Sequence, residues 1–197
     1  IEVLVLEAAA AAGGKLREVQ VAGLPQDAGP TVFTMRWVFE QLFADVGATL
    51  DTHVQMRPVD TLARHAWDDG SRLDLFADPQ RSGDAIARFS SPQEAQRYHV
   101  FCQRARRIYQ TLEQTFMCRA RPNPVSLTHR VGWRNLPDLA AIAPFQSLWT
   151  ALGPYFHDPR LRQLFGRYAT YCGSSPFQAP ATLMLVAHAE QAGVWTV

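Results

Sequence analysis

Residues 91–116 constrain this chain more than any other stretch. Tyr98, Phe101, Cys102, Ala105, Ile108, Tyr109, Leu112 and Phe116 recur at spacings of three and four, which puts them on one stripe of an α-helix and leaves the polar residues between them facing away. Ser91-Pro92-Gln93-Glu94 supplies the start: a hydroxyl acceptor for an early free N–H, a proline where no N–H is needed, and an acid near the positive end of the helix dipole. A helix this long with one apolar stripe must bury it against other elements. At 197 residues, with 47% hydrophobic and 19% charged residues, the chain can build a sizeable core, and disordered or collagen-like classes are excluded.

The elements around that helix are predicted as follows. Residues 136–152, 158–171 and 179–192 read as further helices between Pro and Gly breaks, and Val194-Trp195-Thr196-Val197 reads as the start of a strand. Upstream, Val54-Gln55-Met56, His65-Ala66-Trp67 and Leu73-Asp74-Leu75-Phe76 read as strands, with the Asp-Gly pair of Asp68-Asp69-Gly70-Ser71 as a hairpin turn. Residues 32–44 carry apolar positions at helical period, stopped near Gly47. Gln26-Asp27-Ala28-Gly29-Pro30-Thr31 is a turn cluster, and a strand-like stretch spans residues 18–21. The opening Ile1-Glu2-Val3-Leu4-Val5-Leu6 is a β-branched apolar run of the kind buried on both faces of a parallel sheet, and the alanines after Glu7 suggest a short helix cut off by Gly13-Gly14.

Bulk properties narrow the function classes. Nineteen basic against eighteen acidic residues give a net charge of +1, too little for a global field that attracts nucleic acid, and no nucleic-acid partner is expected. Cys102, Cys118 and Cys172 are odd in number and widely spaced, and the six histidines show no ligand spacing, so neither a disulfide framework nor a metal site is expected. A reducing, cytoplasmic setting is the expectation. No apolar run reaches the roughly 18 residues that span a bilayer. Ser174 and Ser175 lack the Gly-x-Ser-x-Gly context of a hydrolase nucleophile. Nothing in the sequence speaks to oligomeric state.

One constellation carries chemistry. A buried strand ending in an acid, Glu7, then Gly13-Gly14-Lys15, has the form of the second half of a dinucleotide-binding βαβ unit. There the acid hydrogen-bonds a ribose hydroxyl about 20 residues after the glycine fingerprint, a count that places the fingerprint before Ile1. A strand with an ordinary turn is the plain alternative. Residues 5–8 through Gly13-Gly14-Lys15, followed by Asp27-Ala28-Gly29-Pro30-Thr31, are similar to the flavin-binding pattern of the amine-oxidase and phytoene-desaturase superfamily. Thr31-Val32-Phe33-Thr34-Met35, residues 156–165 and Tyr171-Cys172-Gly173-Ser174-Ser175-Pro176 resemble bacterial carotenoid desaturases, most of all those acting on hydroxylated or methoxylated acyclic carotenoids.

The resemblance covers essentially the whole chain, with the family's first glycine loop falling before Ile1 and its C-terminal flavin-contacting segment after Val197. It implies an α/β fold: a partial FAD-binding Rossmann-type domain over residues 1–47, then a substrate-binding domain over residues 48–197 with a mixed or antiparallel hairpin sheet and a helical cap. It implies FAD as cofactor, with Glu7 on the adenosine ribose, Gly13, Gly14 and Lys15 flanking the cofactor, and Gly29, Pro30 and Thr31 near the isoalloxazine. It implies a carotenoid substrate oxidised at a C–C single bond, for which no catalytic acid or base is assigned. The alternatives are another flavin oxidase of the superfamily, or a non-catalytic carotenoid-binding fragment.

A peripheral membrane contact on the inner face is a further expectation. Arg104, Arg106, Arg107, Arg119 and Arg121, with Phe145, Leu148, Trp149, Tyr155 and Phe156 beyond them, read either as a lipid-facing patch or as a solvated basic face beside core aromatics. The stripe from Tyr98 to Phe116 reads as core packing before it reads as the wall of a polyene channel.

Overall fold

A computed structural model describes residues 2–30, 32–118 and 142–197. The chain divides into two compact units, Ile1–Arg57 with Trp195–Val197, and Pro58–Val194. Helices and antiparallel sheets together make it an α/β chain.

In the first unit, β1 (Glu18–Val21) and β2 (Leu24–Asp27) form an antiparallel hairpin. Ala22 and Gly23 turn it with φ of 52° and 80°, the pair of positive values that matches the twist of a two-residue hairpin. Gln26 and Asp27, expected in a turn, therefore end a strand. After β3 (Phe33–Thr34) comes α1 (Arg36–Asp45), the helix expected from periodicity, ended at Gly47 with φ 75°. Arg36 bonds Glu40 at 2.7 Å and Asp51 at 2.8 and 2.7 Å, tying α1 to the 3-10 turn Leu50–Thr52. Leu50 is the one buried residue among the described residues of this unit.

Three expectations fail here. In the run expected as a strand over Ile1 to Leu6, the described residues 2–6 form none: Val3, Leu4, Val5 and Leu6 are 74, 82, 78 and 85% exposed. A parallel strand exists only through the ladders of its neighbours, and no described strand pairs with it. The alanine run is a string of bends rather than a helix, since five alanines ended by two glycines do not offset the cost of nucleating a helix. Likewise Val54-Gln55-Met56 stays irregular, and pairing begins at β4 (Arg57–Pro58). β4 shares a three-stranded sheet with β3 and with β7 (Val194–Thr196), the strand expected at the C-terminal end, and β7 is central.

The second unit opens with the expected hairpin, β5 (Thr61–Ala66) against β6 (Arg72–Phe76). Gly70 turns it with φ 80°, and Asp69 accepts the Ser71 N–H at 2.9 Å. Next comes α2 (Pro79–Phe89), a segment for which no element was predicted. Tertiary contacts make it a helix. Asp78 caps it by accepting from the Gln80 N–H at 2.8 Å, Ile86 is fully buried, and Ser82 Oγ both accepts from Phe76 N–H (2.8 Å) and donates to Phe76 C=O (3.0 Å). Gly83 lets α2 approach its neighbour, since a Cβ there would lie 2.5 Å from His99 Nε2.

The long helix α3 (Pro92–Leu112) starts as expected, with Ser91 Oγ accepting the Glu94 N–H at 3.2 Å. Tyr98, Phe101, Ala105, Ile108, Tyr109 and Leu112 are buried along its stripe. The stripe ends there, because residues Glu113–Met117 form a π turn that rotates Phe116 out to 41% exposure. Within the expected 136–152 helix, α4 spans Leu148–Leu152, and residues 136–141 lie outside the described residues. α5 (Pro159–Gly166) continues into a 3-10 turn, Arg167–Cys172, and a second 3-10 turn, Ala181–Met184, leads into α6 (Leu185–Gln191). The core is aromatic at its centre: Phe156 stacks on Phe165 at 4.4 Å, and Phe101 meets Phe156 edge-on at 5.2 Å.

Candidate functional site

The β1–β2 hairpin decides how the expected cofactor residues stand. Because its ladder continues with Ala28 N–H donating to Arg17 C=O at 2.9 Å, the segments entering and leaving the hairpin are held side by side. Gly29 thereby meets Lys15: a Cβ on Gly29 would sit 1.9 Å from the Lys15 carbonyl oxygen and 3.2 Å from Leu16 Cα, so only glycine fits. On the other side Gly13 (φ 142°) and Gly14 (φ 58°) form a turn closed by Leu16 N–H to Gly13 C=O at 2.9 Å. The two motifs, 14 residues apart from Lys15 to Gly29 in sequence, are one local structure.

The remaining expected residues are not drawn into it in the same way. Glu7 is exposed, and among the described residues its carboxylate accepts one hydrogen bond, from Ala9 N–H at 2.8 Å. Pro30 is exposed beside Gly29, and Thr31 lies outside the described residues.

The second unit holds two buried carboxylates: Glu94, expected only as the acid in the first turn of α3, and Glu190, for which no role was expected. Glu190, 4% exposed, accepts from Arg167 Nη1 and Nη2 at 3.0 and 2.7 Å, from Tyr171 OH at 2.7 Å and from Tyr168 OH at 3.3 Å. Burial first, then the bond to Glu190, pushes the Tyr171 phenol up to about 12. Burial likewise drives Tyr168 well above its ordinary value. Glu94, 3% exposed, pairs with Arg97 and accepts the His157 backbone N–H at 3.1 Å, pinning α3 to the loop before α5. The Glu94/Arg97 spacing of three on one helix was the available signal; Glu190 gave none, since its partners lie 19 to 23 residues away. A third polar group joins α6 to α3, with Gln191 Nε2 3.2 Å from Tyr98 OH and 3.0 Å from Cys102 Sγ, and burial raises both the phenol and the thiol. These clusters clamp the fold.

The aromatic region named as a membrane patch separates into two parts. Leu148 and Phe156 are buried and Tyr155 packs on them, so they are core, whereas Phe145 is fully exposed and Phe177 is 63% exposed beside Trp149 at 5.0 Å. Arg119 and Arg121 lie outside the described residues. No helix among the described residues is long and apolar enough to cross a membrane.

Residues 1–116 match the family of flavin containing amine oxidoreductases. The chain belongs to that family, an α/β class whose cofactor is a flavin. Over its whole length it is 54% identical to a hydroxyneurosporene desaturase of Rubrivivax gelatinosus and 41% identical to one of Cereibacter sphaeroides, covering 38 and 39% of those proteins. It is 30% identical over 99% of its length to a phytoene desaturase (lycopene-forming) of Pantoea ananas, covering 39% of that protein. The resemblance to carotenoid desaturases is thus borne out along the chain, which spans about two fifths of the length of these relatives.

Proposed function

We propose that this chain is part of an FAD-dependent desaturase that introduces a double bond into an acyclic carotenoid bearing a hydroxyl or methoxyl group. The observation that carries the reading is the whole-chain likeness to two hydroxyneurosporene desaturases at 54 and 41% identity, inside a flavin containing family.

The joined glycine turns fit a cofactor of this kind. Gly13, Gly14 and Gly29 offer backbone without side chains at one exposed corner, and the absent Cβ of Gly29 is required there. Lys15 adds a positive charge that suits a pyrophosphate. Gly13, Gly14 and Lys15 would flank the cofactor, Gly29, Pro30 and Thr31 would lie toward its isoalloxazine, and Glu7 would take the ribose. On this reading residues 1–47 contribute to the flavin-binding domain and residues 48–197 to the substrate-binding domain. When bound, FAD supplies a two-electron acceptor for oxidation of a CH–CH bond to C=C. The chain's own share is to bind and orient, and no acid or base is assigned, since the substrate carbons are apolar. A lipid-soluble substrate, with Phe145 and Phe177 exposed, supports a peripheral contact with the inner face of a membrane.

The test is a visible spectrum of the protein purified with and without FAD, for this chain and for a form extended upstream through a glycine loop, followed by incubation with a hydroxylated acyclic carotenoid. Flavin bands in the extended form and a red-shifted polyene product are expected. If neither form takes up flavin, the reading ends. Flavin uptake without any carotenoid product would instead favour an oxidase acting on another substrate. Gly29→Ala, which must push the two turns apart, is expected to weaken flavin uptake.

A further inference from the structure

A cleft of about 550 Å³ opens between the outer face of the β5–β6 hairpin and the flank of α2. Its walls follow from register. Arg64 stands opposite Asp74 and Ala66 opposite Arg72, so these four share one face of the ladder, while Leu73 and Leu75 turn inward to the core. Ala85, Arg88 and Phe89, at helical spacings of three and four, form the facing wall on α2. Phe76, Phe89 and Ala85 make an apolar lining beneath a rim of guanidinium groups.

The charges on that rim are not balanced. Arg81 and Arg160, which lie over the Phe76 and Phe89 rings at 4.2 Å, are neutralised by Asp60 and by Asp158 and Asp69. Arg64 holds Asp74 only loosely, at 3.5 Å. Arg72 and Arg88 have no ion pair or hydrogen bond among the described residues. The chain has near-zero net charge overall, so the excess of Arg64, Arg72 and Arg88 over the one carboxylate in the lining, Asp74, is a local feature. Guanidinium forks match the oxygens of a phosphate, and aromatic lining matches a hydrocarbon.

We propose that this cleft binds a phosphate group attached to an apolar body, with Arg72 and Arg88 as its principal contacts and Arg64 as a third. The site is separate from the glycine turns and does not depend on the desaturase reading. Its source is either the headgroup of an anionic lipid or a soluble phosphate compound.

The experiment compares the purified protein with R72Q/R88Q and with R17Q/R57Q, which removes the same charge from exposed positions outside the cleft. Co-sedimentation with vesicles of phosphatidylcholine, with and without phosphatidylglycerol, is measured alongside titration with inorganic phosphate. Binding to the anionic vesicles that weakens roughly thirtyfold in R72Q/R88Q, at about fivefold per arginine, and holds in R17Q/R57Q assigns the cleft to a lipid headgroup. Phosphate binding lost in R72Q/R88Q, without vesicle binding, assigns it to a soluble phosphate compound. The proposal is overturned if neither ligand binds, or if the two double variants weaken binding equally. Circular dichroism of the variants checks the fold, which these exposed side chains do not support.

Discussion

Replacing Glu190 by alanine tests whether the second unit is held by its buried carboxylate. The side chain is 6% exposed and receives the Arg167 fork at 2.7 Å together with two phenols. Removing it strands a guanidinium whose Nε already has no partner among the described residues, and leaves the buried Tyr168 hydroxyl without that acceptor. Breaking one side of a buried pair costs about 3–5 kcal/mol. Arg167 keeps 25% of its side-chain surface, so water recovers part of the loss and the low end, about 3 kcal/mol, is expected. For a chain of this size that lowers the melting temperature by roughly 6–12 °C. Urea unfolding followed by far-ultraviolet circular dichroism measures it, with Glu190→Gln falling between wild type and alanine. Arg167→Met combined with Glu190→Leu should recover most of the loss, because an apolar pair of similar volume leaves no charge uncompensated. A loss under about 1 kcal/mol for Glu190→Ala would show that solvent, not the carboxylate, satisfies Arg167, and the clamp would be refuted.

Three further outcomes are expected. Phe165→Ala removes a ring 1% exposed that packs on Phe156, Phe101 and Tyr98, and should cost about 4 kcal/mol in denaturant unfolding, while Phe116→Ala, beyond the π turn, should stay within about 0.5 kcal/mol. Ser91→Ala should cost about 1 kcal/mol through loss of the cap on α3, with Ser91→Asp recovering it. His65 and His188 are held below the ordinary value of 6.5, chiefly by burial and then by Arg167 and Arg106 respectively, against the opposing pull of Glu190, Asp74 and Glu113. Below pH 6.5 the unfolded chain takes up protons that the folded chain refuses, so stability should fall as the pH drops through that window and stay level just above it. His65→Gln with His188→Gln should flatten the profile.

The long helix and the Asp-Gly hairpin were legible because their information is local: a stripe at period 3.6, a Ser-Pro start and a Gly with positive φ are written into neighbouring residues. The family was legible too, through the likeness of Gly13-Gly14-Lys15 and Asp27-Ala28-Gly29-Pro30-Thr31 to a flavin-binding pattern. That Gly29 presses against Lys15 was not, since it depends on a hairpin ladder closing between them. Only the tertiary structure could make α2 from a Ser- and Gly-bearing segment, through Ser82, Ile86 and the space Gly83 leaves for His99. It alone could bring Glu190 to Arg167, Tyr168 and Tyr171 across 19 to 23 residues of sequence. The run from Ile1 to Leu6 shows the limit from the other side: its β-branched composition suits a buried strand, but a strand is made by its neighbours, and with no partner strand among the described residues Val3, Leu4, Val5 and Leu6 remain exposed.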